Sequence, residues 1–203
     1  MPIAPELPAI DVPAGWRLVA EDVTTPFDIR VVRVTANTRI YEDVDLRTRL
    51  ADVTGADATW RFVFASRLGI RPANPPSRAL SRLVAERANS RFVDVLGERG
   101  FESVERADTH RLELDAGRSE DAGDVENADA GKSGSTTEAT RYRARVRLDD
   151  RSVPVEAYFA AWPVGDGEFL LGGGAYPLSV PESTSWDPEA AREDLFSMLR
   201  TIR

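Results

Sequence analysis

Apolar residues recur along this chain mostly at every second position, in runs separated by short polar segments. That is the period of a half-buried strand. "GWRLVAEDV" and "DIRVVRVTANTRIYED" alternate in this way and predict a first antiparallel pair, joined through Thr25-Pro26. "ATWRFVFASRL" follows, with Trp60, Phe62 and Phe64 on one face. One long segment breaks the alternation. Leu80, Leu83, Val84, Ala88, Phe92, Val95 and Leu96 are spaced by threes and fours, which predicts a helix from Arg78 to about Glu98. Ser77 stands before it as N-cap, behind prolines, and Gly97 and Gly100 close it.

Alternation resumes at Phe101. "THRLELD" and "RYRARVRLDD" read as strands on either side of residues 117–139, a tract rich in Gly, Ser, Ala and acids. Such a tract buries little apolar area, so it reads as a flexible acidic insertion in a hairpin of one domain. In "RYRARVRLDD", Arg141, Arg143, Arg145 and Arg147 alternate with Tyr142, Ala144, Val146 and Leu148, giving one wet face. "SVPVEAYFAAWPV" and "GEFLLGGGAYP" predict a hairpin turning at "VGDG". Val153, Val155, Ala157, Phe159 and Ala161 share one face there, and Tyr158, Ala160 and Trp162 the other, so this part of the sheet is covered on both sides. A short amphipathic helix closes the chain, burying Leu195, Phe196, Leu199 and Ile202. The expected fold is α+β: an antiparallel sheet of six to seven strands, with one long helix on one face and smaller helices on the other. Residues 1–14 are an extended Pro-rich arm, and 15–203 are a single domain.

The long helix "SRALSRLVAERANSRFVDVLGERGFESV", the meander from Thr140 to Pro177 and the closing helix ending "DLFSMLRTIR" together resemble the PsbP-like α/β/α sandwich. That fold is shared by photosystem accessory proteins and a Ran-binding nuclear transport factor. The chain is also similar to an uncharacterised haloarchaeal protein family. The resemblance implies binding or assembly and assigns no catalytic residue.

Charge adds a second constraint. The net charge is −8, and Lys132 is the only lysine. An acidic surface argues against general nucleic-acid binding, which needs phosphate neutralisation. Acidity with almost no lysine fits a saline cytoplasm, where salt screens repulsion among carboxylates; a GC-rich genome also favours arginine. There is no cysteine, hence no disulfide, thiolate nucleophile or cysteine–metal site. The opening "MPIAPELPAIDVPAGW" lacks the basic and apolar regions of a signal peptide, and no apolar stretch approaches the roughly 20 residues that span a bilayer. A cytoplasmic location and no membrane partner are expected.

Chemical motifs are few. "ADAGKSGS" contains Gly-Lys-Ser, but Glu126 stands where a phosphate-binding loop needs its first glycine. Gly172-Gly173-Gly174 is followed by no helix that would offer its positive end to a phosphate. These glycines read as a packing device, a close approach of a helix lying across the sheet. His110 is the only histidine, so any metal site would be all carboxylate, and no calcium-loop pattern is present. The arginine ladder reads first as the wet face of a strand, paired with Glu113, Asp115 and Glu156 on neighbouring strands. The expected function is a non-enzymatic binding or scaffolding domain for a protein partner, without cofactor or metal. The alternative is a small-ligand binding protein or an enzyme with a pocket between the last hairpin and the C-terminal helix. Its candidate ligand-binding residues are Trp162, Gly173 and Tyr176.

Overall fold

The computed structural model describes residues 5–29, 32–55, 57–115, 135–148, 151–180 and 186–203. They form β1 (Trp16–Ile29), β2 (Val32–Asp43), α1 (Val44–Thr54), β3 (Phe62–Arg71), α2 (Arg78–Glu98), β4 (Phe101–Glu113), β5 (Thr136–Leu148), β6 (Arg151–Gly165), β7 (Glu168–Pro177) and α3 (Pro188–Arg200). The strands make one seven-stranded antiparallel sheet in the order β1-β2-β3-β7-β6-β5-β4. After β3 the chain crosses by α2 to the far edge, then meanders back until β7 pairs with β3. The glycine-bearing strand is therefore central, hydrogen-bonded on both sides.

The alternation places the two cores as the sequence predicts. Trp60, Phe62, Phe159 and Leu171 face Val84, Phe92 and Leu96 of α2. Val63, Tyr158, Trp162, Leu170 and Tyr176 face Leu195, Phe196 and Leu199 of α3. The buried line of α2 runs through Leu80, Val84, Ala88, Phe92 and Leu96, four residues apart, while Leu83 leaves it and is 54% exposed. Ser77 caps this helix, its Oγ accepting from Leu80 N at 3.1 Å. Asp187 caps α3, accepting from Glu189 N and Ala190 N.

Several expectations need correcting. Thr25-Pro26 lies within β1, where the register slips between Thr24 and Phe27, and is not the connection to β2. Proline lacks a ladder donor, and an edge strand accommodates it at a bulge. Helix α1 has no counterpart in the sequence reading, and through Leu46 and Leu50 it packs on the same side as α2. So α3 alone among the described helices covers the second face, joined there by the extended arm. Pro5 O accepts from Asn37 Nδ2 at 3.3 Å, and Ala9 and Arg203 exchange backbone hydrogen bonds of 2.8 and 3.0 Å. Most of the acidic tract lies outside the described residues, but Thr136–Ala139 are the start of β5, with Glu138 opposite Arg111. The tract is shorter than 117–139 because Thr136 and Thr137, β-branched and half of an alternating run, extend the strand.

Candidate functional site: the uncovered face of β4 to β6

Helix α3 packs against β7 and the inner part of β6 and meets β4 only toward that strand's C-terminal end, at His110, 6.5 Å from Phe196 between ring centroids, and just past the strand, where Asp115 N donates to Arg200 O. Over the rest of β4 and β5 this face has no covering element among the described residues. Arg143, Arg145 and Arg147 stand exposed on it, because alternate positions of β5 put Tyr142, Ala144 and Val146 into the α2-side core. Edge strand β4 is irregular, with register shifts between Glu102 and Glu105 and between Arg106 and Thr109, and Ser103 has a left-handed φ of 52°. A shallow concavity of about 540 Å³ opens here, lined by Glu102, Ser103, Glu105, Arg145, Arg147, Arg151 and Ser152.

The charges on the face are unevenly matched. Arg141 Nη2 is 2.6 Å from Asp108 and its Nη1 is 3.0 Å from Glu156. Arg147 Nη2 is 3.1 Å from Glu102. Arg145 Nη1 donates only to Ser152 Oγ, at 3.3 Å. Among the described residues, Arg143, Arg145 and Arg151 have no carboxylate partner, although Glu105 lies opposite Arg143 in register. Two ladder arginines, Arg143 and Arg145, thus share this face with one carboxylate, that of Glu105, that is likewise unpaired among the described residues, while Arg151, opposite Leu148 in register, lines the rim of the concavity.

At the inner end of the ladder the face becomes buried. Glu156 is 8% exposed. Its Oε2 accepts from Tyr176 Oη at 2.8 Å and Tyr158 Oη at 3.3 Å, while Oε1 accepts from Arg141. Tyr158 meets Phe196 edge-on at 4.8 Å and His110 at 5.5 Å between ring centroids. His110 Nε2 is 3.2 Å from Asp108 Oδ1 but out of line for a hydrogen bond. Desolvation raises the Tyr158 hydroxyl above its ordinary value and pushes that of Tyr176 far above it, and the contact with Glu156 adds to both. Both therefore stay protonated donors. The hydrogen bond from Arg141 holds the Asp108 carboxyl below its ordinary range. The cluster fastens four strands to one another, with both carboxylate oxygens of Glu156 accepting from donors within it.

The profile of a domain of unknown function, DUF6517, matches residues 3–203. The chain belongs to this family. The match runs through both cores and the whole uncovered face. Neither the curated proteins nor the solved structures give a match. Among the described residues of this DUF6517 chain, no group of three or more acidic or histidine side chains is arranged to hold a metal ion. None of the described helices is long and apolar enough to cross a membrane.

The residues singled out in the sequence do not converge in the DUF6517 fold. Trp162 and Tyr176 share the α3 face, but Trp162 is opposite Leu170 and Tyr176 is opposite Glu156, so they lie about 20 Å apart along β7. Gly173 faces the other way. A Cβ built there would lie 2.7 Å from both the Phe64 ring and Tyr158 O. The helix crosses over Gly172 and Gly174 instead, where added methyl groups would meet Leu199 and Ile202, and Leu195, respectively. The space between the last hairpin and α3 is filled by these side chains. Of the expected partners for the arginine ladder, Glu156 binds Arg141, whereas Glu113 is opposite Thr136 and Asp115 lies at the α3 end. Asp108 and Glu102 take their places. No reading of the sequence places Asp108 or Glu102 there, because the β4 bulges decide which acids face β5.

Proposed function

We propose that the DUF6517 domain is a non-enzymatic binding module that receives a protein partner on the uncovered face of β4 to β6. The observation that carries this reading is the pair of ladder arginines without a carboxylate partner among the described residues, Arg143 and Arg145, with Arg151 at the rim of the adjoining concavity, on a chain whose net charge is −8. A cationic strip on an acidic body has little structural purpose and attracts a complementary surface. Commitment of both tyrosine hydroxyls to Glu156 supports binding over catalysis, since neither is left to move a proton. The order of elements supports a PsbP-like architecture, in keeping with assembly work. The near-absence of lysine supports a halophilic, cytoplasmic setting, in which the melting temperature rises between about 0.1 and 2 M KCl as the Debye length shrinks several-fold. A melt indifferent to salt counts against that setting.

The binding reading is tested by placing a photoreactive amino acid at Ser152, on the face, and at Ser90, exposed on α2, in cells that make the protein. The reading expects a discrete protein adduct from Ser152 alone, lost when Arg143 and Arg145 are both changed to Glu. Equal adducts from both sites, or none from Ser152, overturn it.

A further inference from the structure

We infer that the segment bound on this face is an extended acidic peptide with carboxylates at alternate positions, its leading carboxylate seated in the concavity at Arg145 and Ser152. This rests on the binding reading above and specifies its ligand. The spacing comes first. Arg141, Arg143, Arg145 and Arg147 lie on one face of a regular strand, so their Cα atoms repeat about every 6.8 Å. An extended peptide with acids at every second residue has the same repeat, whereas a helix or a block of consecutive acids does not. Guanidinium groups suit this role because each can grip a carboxylate with two parallel N–H donors.

The concavity supplies the anchor. The left-handed φ of Ser103 and the bulge between Glu102 and Glu105 take β4 away from its neighbour and open the space beside Arg145. Ser152 Oγ accepts from Arg145, which leaves its own O–H free to donate to an incoming oxygen. Arg151 lines the rim of the same concavity, where β6 begins. The same bulges interrupt the free ladder of the β4 edge, so a peptide lies across the face and does not add as an eighth strand.

Two features separate an acidic peptide from single-stranded nucleic acid, whose phosphates are also negative. Binding single strands relies on exposed aromatic platforms for the bases. Here Phe101, Tyr142, Tyr158, Phe159 and Trp162, the aromatic residues of β4 to β6, are all buried. The chain's charge of −8 also repels a polyanion more strongly than a short peptide.

The test uses two synthetic peptides of identical composition and charge, one alternating Asp-Thr and one with the same residues in an Asp block and a Thr block. Each is titrated into the full chain, at the lowest KCl concentration that preserves a cooperative melt, while backbone amide shifts are followed by NMR. The inference expects shifts along β5 and at Ser103 and Ser152, with tighter binding of the alternating peptide. Arg143→Gln and Arg145→Gln should each weaken it about two- to fivefold, as exposed charge pairs do. Arg87→Gln on α2 should leave it unchanged. Both arginines on the face are exposed, so the variants should fold, which a circular dichroism melt verifies. Equal affinity for the two peptides overturns the inference, as do equal shifts from inorganic phosphate at the same concentration. If neither peptide binds while Ser152 still crosslinks a partner in cells, the inference fails and the binding reading stands.

Discussion

Gly174→Ala adds one methyl group at the centre of the sheet, and the structure sets what that methyl meets. Its Cβ would lie against the Phe62 carbonyl oxygen, 2.7 Å from Leu195 Cδ1 and 3.1 Å from Val63 Cα. Val63 is the residue paired with Gly174 across the ladder, so two of the three obstacles are backbone atoms of an adjoining strand. Backbone in a central ladder cannot turn aside as a side-chain tip can. Overpacking of this kind belongs at the upper end of its usual range, about 3 kcal/mol, or a fall in melting temperature of about 6–12 °C for a chain this long. Gly172→Ala meets the ends of Ile202 and Leu199, two flexible side chains near the chain terminus, and should cost only about 1 kcal/mol. Gly97 reverses the sign. It sits inside α2 with nothing within 4 Å of its would-be Cβ, so Gly97→Ala should stabilise by about 0.5–1 kcal/mol. The assay is a set of calorimetric melts at one salt concentration. A Gly174→Ala melt within about 1 °C of wild type refutes the packing argument, as does a Gly97→Ala protein that melts lower.

Four further outcomes follow from the same geometry. Tyr176→Phe removes the 2.8 Å donor to Glu156 and should cost about 1–3 kcal/mol, whereas Arg141→Met strips a buried carboxylate of its cation and should cost about 3–5 kcal/mol. Replacing Arg141 and Glu156 together by Met should recover only part of that loss, because the buried Tyr158 and Tyr176 hydroxyls then lose their acceptor, and denaturant midpoints decide. Hydrogen bonds from Arg141, Arg47 and Arg91 lower the folded-state values of Asp108, Asp57 and Glu98 below 3.8, 3.8 and 4.5. Their contribution is complete above those unfolded values and is lost as pH falls through and below them, so the acid limb of stability should flatten in Arg141→Gln. Burial raises Tyr142, Tyr158 and Tyr176 above the ordinary 10, so their contribution should decline as pH rises past 10, with absorbance at 295 nm showing them ionise together with unfolding. Exchanging residues 117–133 for a short Gly-Ser turn should change stability by no more than about 1 kcal/mol; extending the deletion to 138 should cost more, because Thr136, Thr137 and Glu138 pair with β4.

The parts of the fold carried by strict periodicity were legible in the sequence. β5 and β6 sorted their side chains between two cores as alternation requires, and the α2 cap at Ser77 follows from one residue type in one place. What escaped depended on defects in that periodicity. α1 buries only Leu46 and Leu50, too small a stripe to stand out in "EDVDLRTRLADV", and its cap Asp43 reads as one more acid. The Glu156–Tyr176 contact needs the register shift between Pro163 and Gly165. Without that extra residue, Pro177 would stand opposite Glu156 and Tyr176 would miss it. The glycine triplet signalled close approach correctly, yet which glycine lies under the helix depends on the face that each residue takes, and Gly173 takes the other one.

The claim that the β4–β6 face is occupied by a partner meets its most direct test in arginine-selective labelling with phenylglyoxal. Labelling is done in intact cells and again on the purified chain, with mass spectrometry reading each site. If a partner occupies the face, Arg143, Arg145 and Arg151 react freely after purification and are protected in cells, while Arg87, exposed on α2, reacts alike in both. Equal labelling of Arg143, Arg145 and Arg151 in the two settings would contradict it.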